Sequence, residues 1–171
     1  RRHAHPRAAG HAARLRGAEL ALAFNGEIEE VRGAQLAMGF NNSGGPVYGF
    51  QGSVGLNLAH GRLWGVQSVV GANIVMGTVR GAQLATGFNL SEGFVGLQGA
   101  LINLSRGDSM GLQAGLINVQ HHLLRGAQLG LANVGDALHG AQLGLVNVAQ
   151  GEVKGVQLGL VNYAHRAAAP I

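Results

Sequence analysis

The sequence predicts an all-β fold, a β-solenoid of about ten coils of 14 to 16 residues, and three observations carry that prediction. The first is repetition. GAQLGLVN at Gly140 to Asn147 recurs as GVQLGLVN from Gly155, GAQLGLAN from Gly126, GLQAGLIN from Gly111 and GLQGALIN from Gly96, with looser copies from Gly81, Gly65, Gly49, Gly33 and Gly17. A fixed period of this kind is the signature of a repeat architecture. The second is alternation. Ala82, Leu84, Thr86 and Phe88 share one side of a repeat and Gln83, Ala85 and Gly87 the other, which is the period of a strand and not of a helix. The third is the placement of charge: after Gly17 every charged residue except Glu19 falls in a connector or in the C-terminal tail.

Taken in order, residues 1–14 read as a flexible basic leader, because Pro6 and Gly10 interrupt any helix. The sequence starts at Arg1 and carries no continuous apolar stretch after its basic start, so a mature or trimmed product is expected. Residues 15–164 form the ten-repeat β domain, and 165–171 a C-terminal tail. Connectors such as LSRGDSM, VGDALH and VAQGEVK are rich in glycine and charge, as turns should be. Two places before the repeat glycine stands an apolar residue: Leu15, Val31, Val47, Leu63, Val79, Phe94, Leu124, Leu138 or Val153, with Ser109 the exception. A turn that keeps an apolar residue in register is expected to wrap a core. The alternating leucines are expected to line that core.

Two polar positions recur as faithfully as the glycines. Glutamine occupies one, at Gln35, Gln51, Gln67, Gln83, Gln98, Gln113, Gln128, Gln142 and Gln157, with Glu19 in the first repeat. Asparagine holds the other, at Asn25, Asn41, Asn57, Asn73, Asn89, Asn103, Asn118, Asn133, Asn147 and Asn162. In stacked coils about 4.8 Å apart, rows of amides hydrogen-bond to one another whereas rows of carboxylates repel. A structural ladder is therefore expected, with the single acid at its end. Asparagine is expected at a corner, bonded to backbone. From the sixth repeat onward one residue fewer separates Gln from Asn, which reads as a change of cross-section or of bulge position.

The alternative architecture is a ten-stranded antiparallel transmembrane β-barrel, whose strands of about ten residues would span a bilayer. It explains the uncharged side opposite the leucines by turning it toward a lumen. Against it stand the single-strand period, the lack of alternating long and short loops, and the scarcity of girdle aromatics in a chain with one Trp and two Tyr.

Composition removes other classes. Apolar residues make up 47% of the chain and charged residues 12%, so ordinary disorder is excluded. There is no cysteine, hence no disulfide framework or thiolate metal site. The net charge of +4 comes from residues 1–16, whose Arg1, Arg2, Arg7, Arg14 and Arg16 have no acid beside them, and the nearly neutral remainder offers no nucleic-acid surface.

Candidate sites are few. His3, His5 and His11, and the adjacent His121 and His122, lack carboxylate or cysteine partners at ligand spacing and read as solvated polar residues. Glu27, Glu29 and Glu30 read as charged turn residues or an end cap. Arg106, Gly107 and Asp108 spell a short adhesion tripeptide. No catalytic set, metal site or cofactor loop is predicted: the serines lack a nucleophile elbow, and no lysine follows the periodic glycines. Tyr48, Phe50 and Trp64 lie in neighbouring repeats, where they read either as a packed aromatic cluster or as an interaction patch fit for a partner protein or glycan.

The repeats over residues 15–164 resemble those of bacterial surface repeat-containing proteins built on G-[VLA]-Q-[LI]-G-L-[VI]-N, with the last two copies matching outright and the copy from Gly126 departing only at Ala132. The resemblance implies a Gram-negative source and a place in the cell envelope or at the surface, and brings no enzymatic activity, cofactor or ligand. The expected function is a non-enzymatic structural, adhesion or assembly scaffold. Its expected partners are further copies, through strand edges or a repeat face, and an envelope protein or glycan. The barrel alternative would act as an outer-membrane channel or anchor.

Overall fold

The computed structural model describes residues 11–167 and, of these, the side chains of all but 11–13, 27, 28 and 167. Its strands are β1 (His11–Ala21), β2 (Phe24–Ala37), β3 (Phe40–Ser43), β4 (Val47–Ser53), β5 (Leu56–Ala59), β6 (Leu63–Val69) and β7 (Ala72–Ala85). There follow β8 (Phe88–Gly99), β9 (Ile102–Ser105), β10 (Ser109–Ala114), β11 (Ile117–Leu129), β12 (Ala132–Leu143), β13 (Val146–Leu158) and β14 (Val161–Ala167). Every pairing among them is parallel and sets like on like: Gly126 on Gly111 and Gly140, Gln128 on Gln113 and Gln142, Asn133 on Asn118 and Asn147. The molecule is a β-solenoid, and parallel neighbours set aside the antiparallel barrel. Among the described residues strand structure runs from His11, within the expected leader, to Ala167, in the expected tail. The leader's first ten residues and the last four of the tail, with His3 and His5, lie outside the described residues.

The repeat glycine is dictated by the stacking. All ten, from Gly17 to Gly155, hold φ between +119° and +150°. A Cβ on Gly126 would lie 1.9 Å from the carbonyl oxygen of Gly111. No side chain fits there, so the chain can turn at this point only on glycine.

The expected leucine-lined core is overturned. Gln83 is 0% exposed while its neighbour Leu84 is 40% exposed, and the same inversion holds at Gln128 and Leu129 and at Gln142 and Leu143. The interior is built from four rows. One is the apolar row before the glycine, with Val31, Val47, Leu63, Val79, Phe94, Leu124, Leu138 and Val153 all buried. Ser109, the exception in sequence, also points inward, where its Oγ lies 2.9 Å from that of Ser105 and accepts from the Phe94 amide. The glutamines and asparagines supply two more rows. Small residues such as Ser43, Ala59, Ser91, Ser105 and Ala149 supply the fourth.

Burying amides is tolerable because the stack satisfies them. Each glutamine Nε2 donates to the Oε1 of the preceding coil at 2.7 to 3.2 Å, in eight links from Gln51 to Gln157. Each asparagine Nδ2 donates to the Oδ1 of the following coil at 2.8 to 2.9 Å, in nine links from Asn25 to Asn162. An isolated buried amide costs several kcal/mol, whereas a fully paired one stabilises on net.

The residue lost between the two halves comes out of a bend. Leu84 registers with Gly99 and Phe88 with Ile102, so three residues in the fifth coil, Ala85 to Gly87, face two in the sixth, Ala100 and Leu101. Gln and Asn therefore keep their rows through every coil, and only Gln157 and Asn162 at the end of the stack are left uncovered. Asparagine sits just past the bend, not at it, and ties it down from inside: Asn41 donates to the Gly52 carbonyl, Asn118 to Leu129 and Asn133 to Leu143.

Candidate interaction surface

Turning the amides inward turns the apolar residues outward, and this decides what the exterior offers. Between the glycine row and the bend, each coil shows two outward residues, one and three places after the glycine. Past the bend come two more, for example Phe40 and Asn42, Ile117 and Val119, or Val146 and Val148, beside the asparagine. The bend itself carries Leu22, Met38, Val54, Val70, Leu101, Leu116, Leu131, Leu145 and Leu160, all strongly exposed. Two apolar facets thus meet at an apolar ridge along the rod. Apart from Glu19 in the inner glutamine row, charge among the described residues lies on the third side, where Arg106 pairs with Glu92 at 3.6 Å and Lys154 with Glu152 at 3.1 Å.

The first facet has a further regularity. Wherever the residue after the glycine is small, its outward neighbour is leucine: Ala18 and Leu20, Ala34 and Leu36, Ala82 and Leu84, Ala127 and Leu129, Ala141 and Leu143. Wherever it is large, the neighbour is small: Phe50 and Gly52, Val66 and Ser68, Leu97 and Gly99, Leu112 and Ala114. Only the last coil, with Val156 and Leu158, places two large residues together. At the first four coils the facet dips into an apolar groove of about 540 Å³ lined by Leu20, Leu36, Met38, Phe50, Gly52 and Ser68.

Of the three expected patch residues the structure brings Tyr48 and Trp64 together, and it adds two arginines. Tyr48 and Trp64 stack on successive coils, in the row just before the glycine, with ring centroids 5.1 Å apart and an edge-on angle of 86°. Arg32 caps the pair below, 5.2 Å from the Tyr48 ring, and Arg80 above, 5.6 Å from the Trp64 ring. These are cation–π contacts within the usual range. Phe50 belongs to the next outward row, leaning toward Gly52, where a Cβ would lie 2.7 Å from its ring. The two arginines were readable in sequence, since the row holds Arg wherever it does not hold an aromatic, Met, Val, His or Lys.

The other candidates resolve into structural roles. Glu29 pairs with Arg14 at 2.7 Å, raising the arginine pKa above its ordinary value through that hydrogen bond and its charge, and Glu30 pairs with Arg32. His122 holds φ at +72° and its amide donates to Asp136, while the Leu123 amide donates to Asp108. Asp108 of the tripeptide is thereby engaged with a neighbouring coil, and Arg106 with Glu92. Among the described residues no three His, Asp or Glu side chains gather as a metal site would require. Glu19 registers with Gln35 at the first rung, as expected, and keeps its Oε2 without a partner.

No family model, curated protein or solved structure matches the chain.

Proposed function

We propose that this chain is a non-enzymatic scaffold of the bacterial cell envelope, working through its apolar exterior. The observation that carries the reading is the inversion of the rod: amides inside, leucine, isoleucine, valine and phenylalanine outside along its whole length. The largest apolar patch on an ordinary monomer is about 300–600 Å² and is itself often functional. A rod that carries two such facets over about 45 Å has a surface built for association. The repeat's likeness to bacterial surface proteins supplies the envelope as the setting.

The facet past the bend is the one that meets the envelope partner, and sedimentation tests it. Purified protein mixed with isolated bacterial envelope fragments pellets with them. The variant Ile102→Ser, Ile117→Ser, Val146→Ser stays in the supernatant, with an unchanged circular dichroism spectrum. Wild-type protein that remains in the supernatant sinks the proposal.

A further inference from the structure

We propose that a second copy of this chain covers the facet between the glycine row and the bend, the two rods lying parallel about a two-fold axis along their length. The proposal rests on the reading of the chain as an assembly scaffold and names what assembles on one of its two facets. A two-fold in this direction reverses the strands across the interface. The residue one place after the glycine then meets the residue three places after it, in the same coil of the partner, and the reverse.

The size pattern of the facet is the pattern this symmetry demands. Ala82 faces the partner's Leu84 and Leu84 the partner's Ala82; Phe50 faces the partner's Gly52, and Leu97 the partner's Gly99. Large meets small in nine of ten coils, because each of those coils carries one of each. Facing sheets pack about 10 Å apart with interdigitated side chains, and interior-like packing leaves no voids. A lipid phase flows around any shape and imposes no such compensation between neighbouring positions.

The dimensions fit as well. Ten rungs give a length of about 45 Å and five residues of strand a width of about 16 Å, so each copy contributes about 700 Å². The total of about 1,400 Å² lies within the 1,200–2,000 Å² of standard interfaces. At the rim, the bend row of one rod meets the row before the glycine of the other. Arg32, Tyr48, Trp64 and Arg80 close over the partner's Met38, Val54, Val70 and Thr86, with the arginine stems against apolar surface and their heads in water.

Light scattering on the purified chain in detergent-free buffer is expected to give twice the 17.5 kDa of one chain. Leu84→Glu with Leu129→Glu is expected to halve that mass with an unchanged circular dichroism spectrum. The geometry is read from two differently tagged copies, one carrying Ala82→Cys and the other Leu84→Cys, joined by a short bis-maleimide in a protein with no native cysteine. That pair is expected to cross-link at least tenfold faster than Leu84→Cys with Ala114→Cys. The opposite preference means rods turned end for end and overturns the arrangement. A monomer in buffer overturns the proposal outright, and a monomer that floats with phosphatidylcholine and phosphatidylglycerol vesicles identifies lipid as the cover instead. A dimer that fails to sediment with envelope fragments leaves this inference standing and removes the proposed function.

Discussion

Gln128 accepts from Gln142 and donates to Gln113 and to the Val134 carbonyl, all within the rod. Gln128→Leu leaves those buried groups unpaired, and each costs about 1–3 kcal/mol. A loss of about 2–5 kcal/mol is therefore expected in urea denaturation at pH 7, whereas Leu129→Gln, on the outside of the same strand, is expected to change the isolated chain by about 0.5 kcal/mol or less. If the leucine substitution were the costly one, the leucines would be the core after all. This inversion was the least legible feature of the sequence. Period-two alternation separates two sides and does not say which is inside. Hydropathy prices a glutamine as an isolated group, and here it is one rung of a ladder whose other rungs satisfy it. The clue was available in the uncharged side opposite the leucines, with its Gly, Ala and Gln, which suits a narrow interior far better than a solvated surface.

Strand boundaries did not follow from spacing: the connectors VGDALH and VAQGEVK, expected as turns, run as strand within β12 and β13, and the break falls inside the repeat motif, between Leu143 and Val146. Nor could spacing show where a coil absorbs a change in length. The five-step and six-step intervals from Gln to Asn differ by one residue at the bend, as Ala85 to Gly87 against Ala100 and Leu101 shows. The bend is held by backbone bonds to neighbouring coils and by asparagine from below, and so accepts two residues or three. One alanine inserted between Gly144 and Leu145 is expected to lower stability by about 1 kcal/mol or less, since it restores the longer form. The same alanine between Ala141 and Gln142 drives either the glycine or the glutamine out of its row. A fall of several degrees more in the thermal midpoint is the expected reading, and equal midpoints for the two insertions would show that register is not fixed by these rows.

At the scale of the molecule, almost every contact joins a coil to the next, so stability is close to a sum over neighbours. Amides of the central coils are expected to exchange hydrogen at least about 100-fold more slowly than those of the first and last coils, which have one neighbour instead of two. A single common rate along the rod would mean one cooperative block. The two amide rows add a property that neither has alone. The glutamine row passes its hydrogen bonds toward the first coil and the asparagine row toward the last, over eight and nine links. Each row is a file of aligned dipoles, comparable in kind to those of a helix. Running in opposite senses, the files cancel. The rod has direction in its chain and almost none in the axial field of its amide rows, so two rods laid side by side pay little electrostatic penalty for pointing the same way.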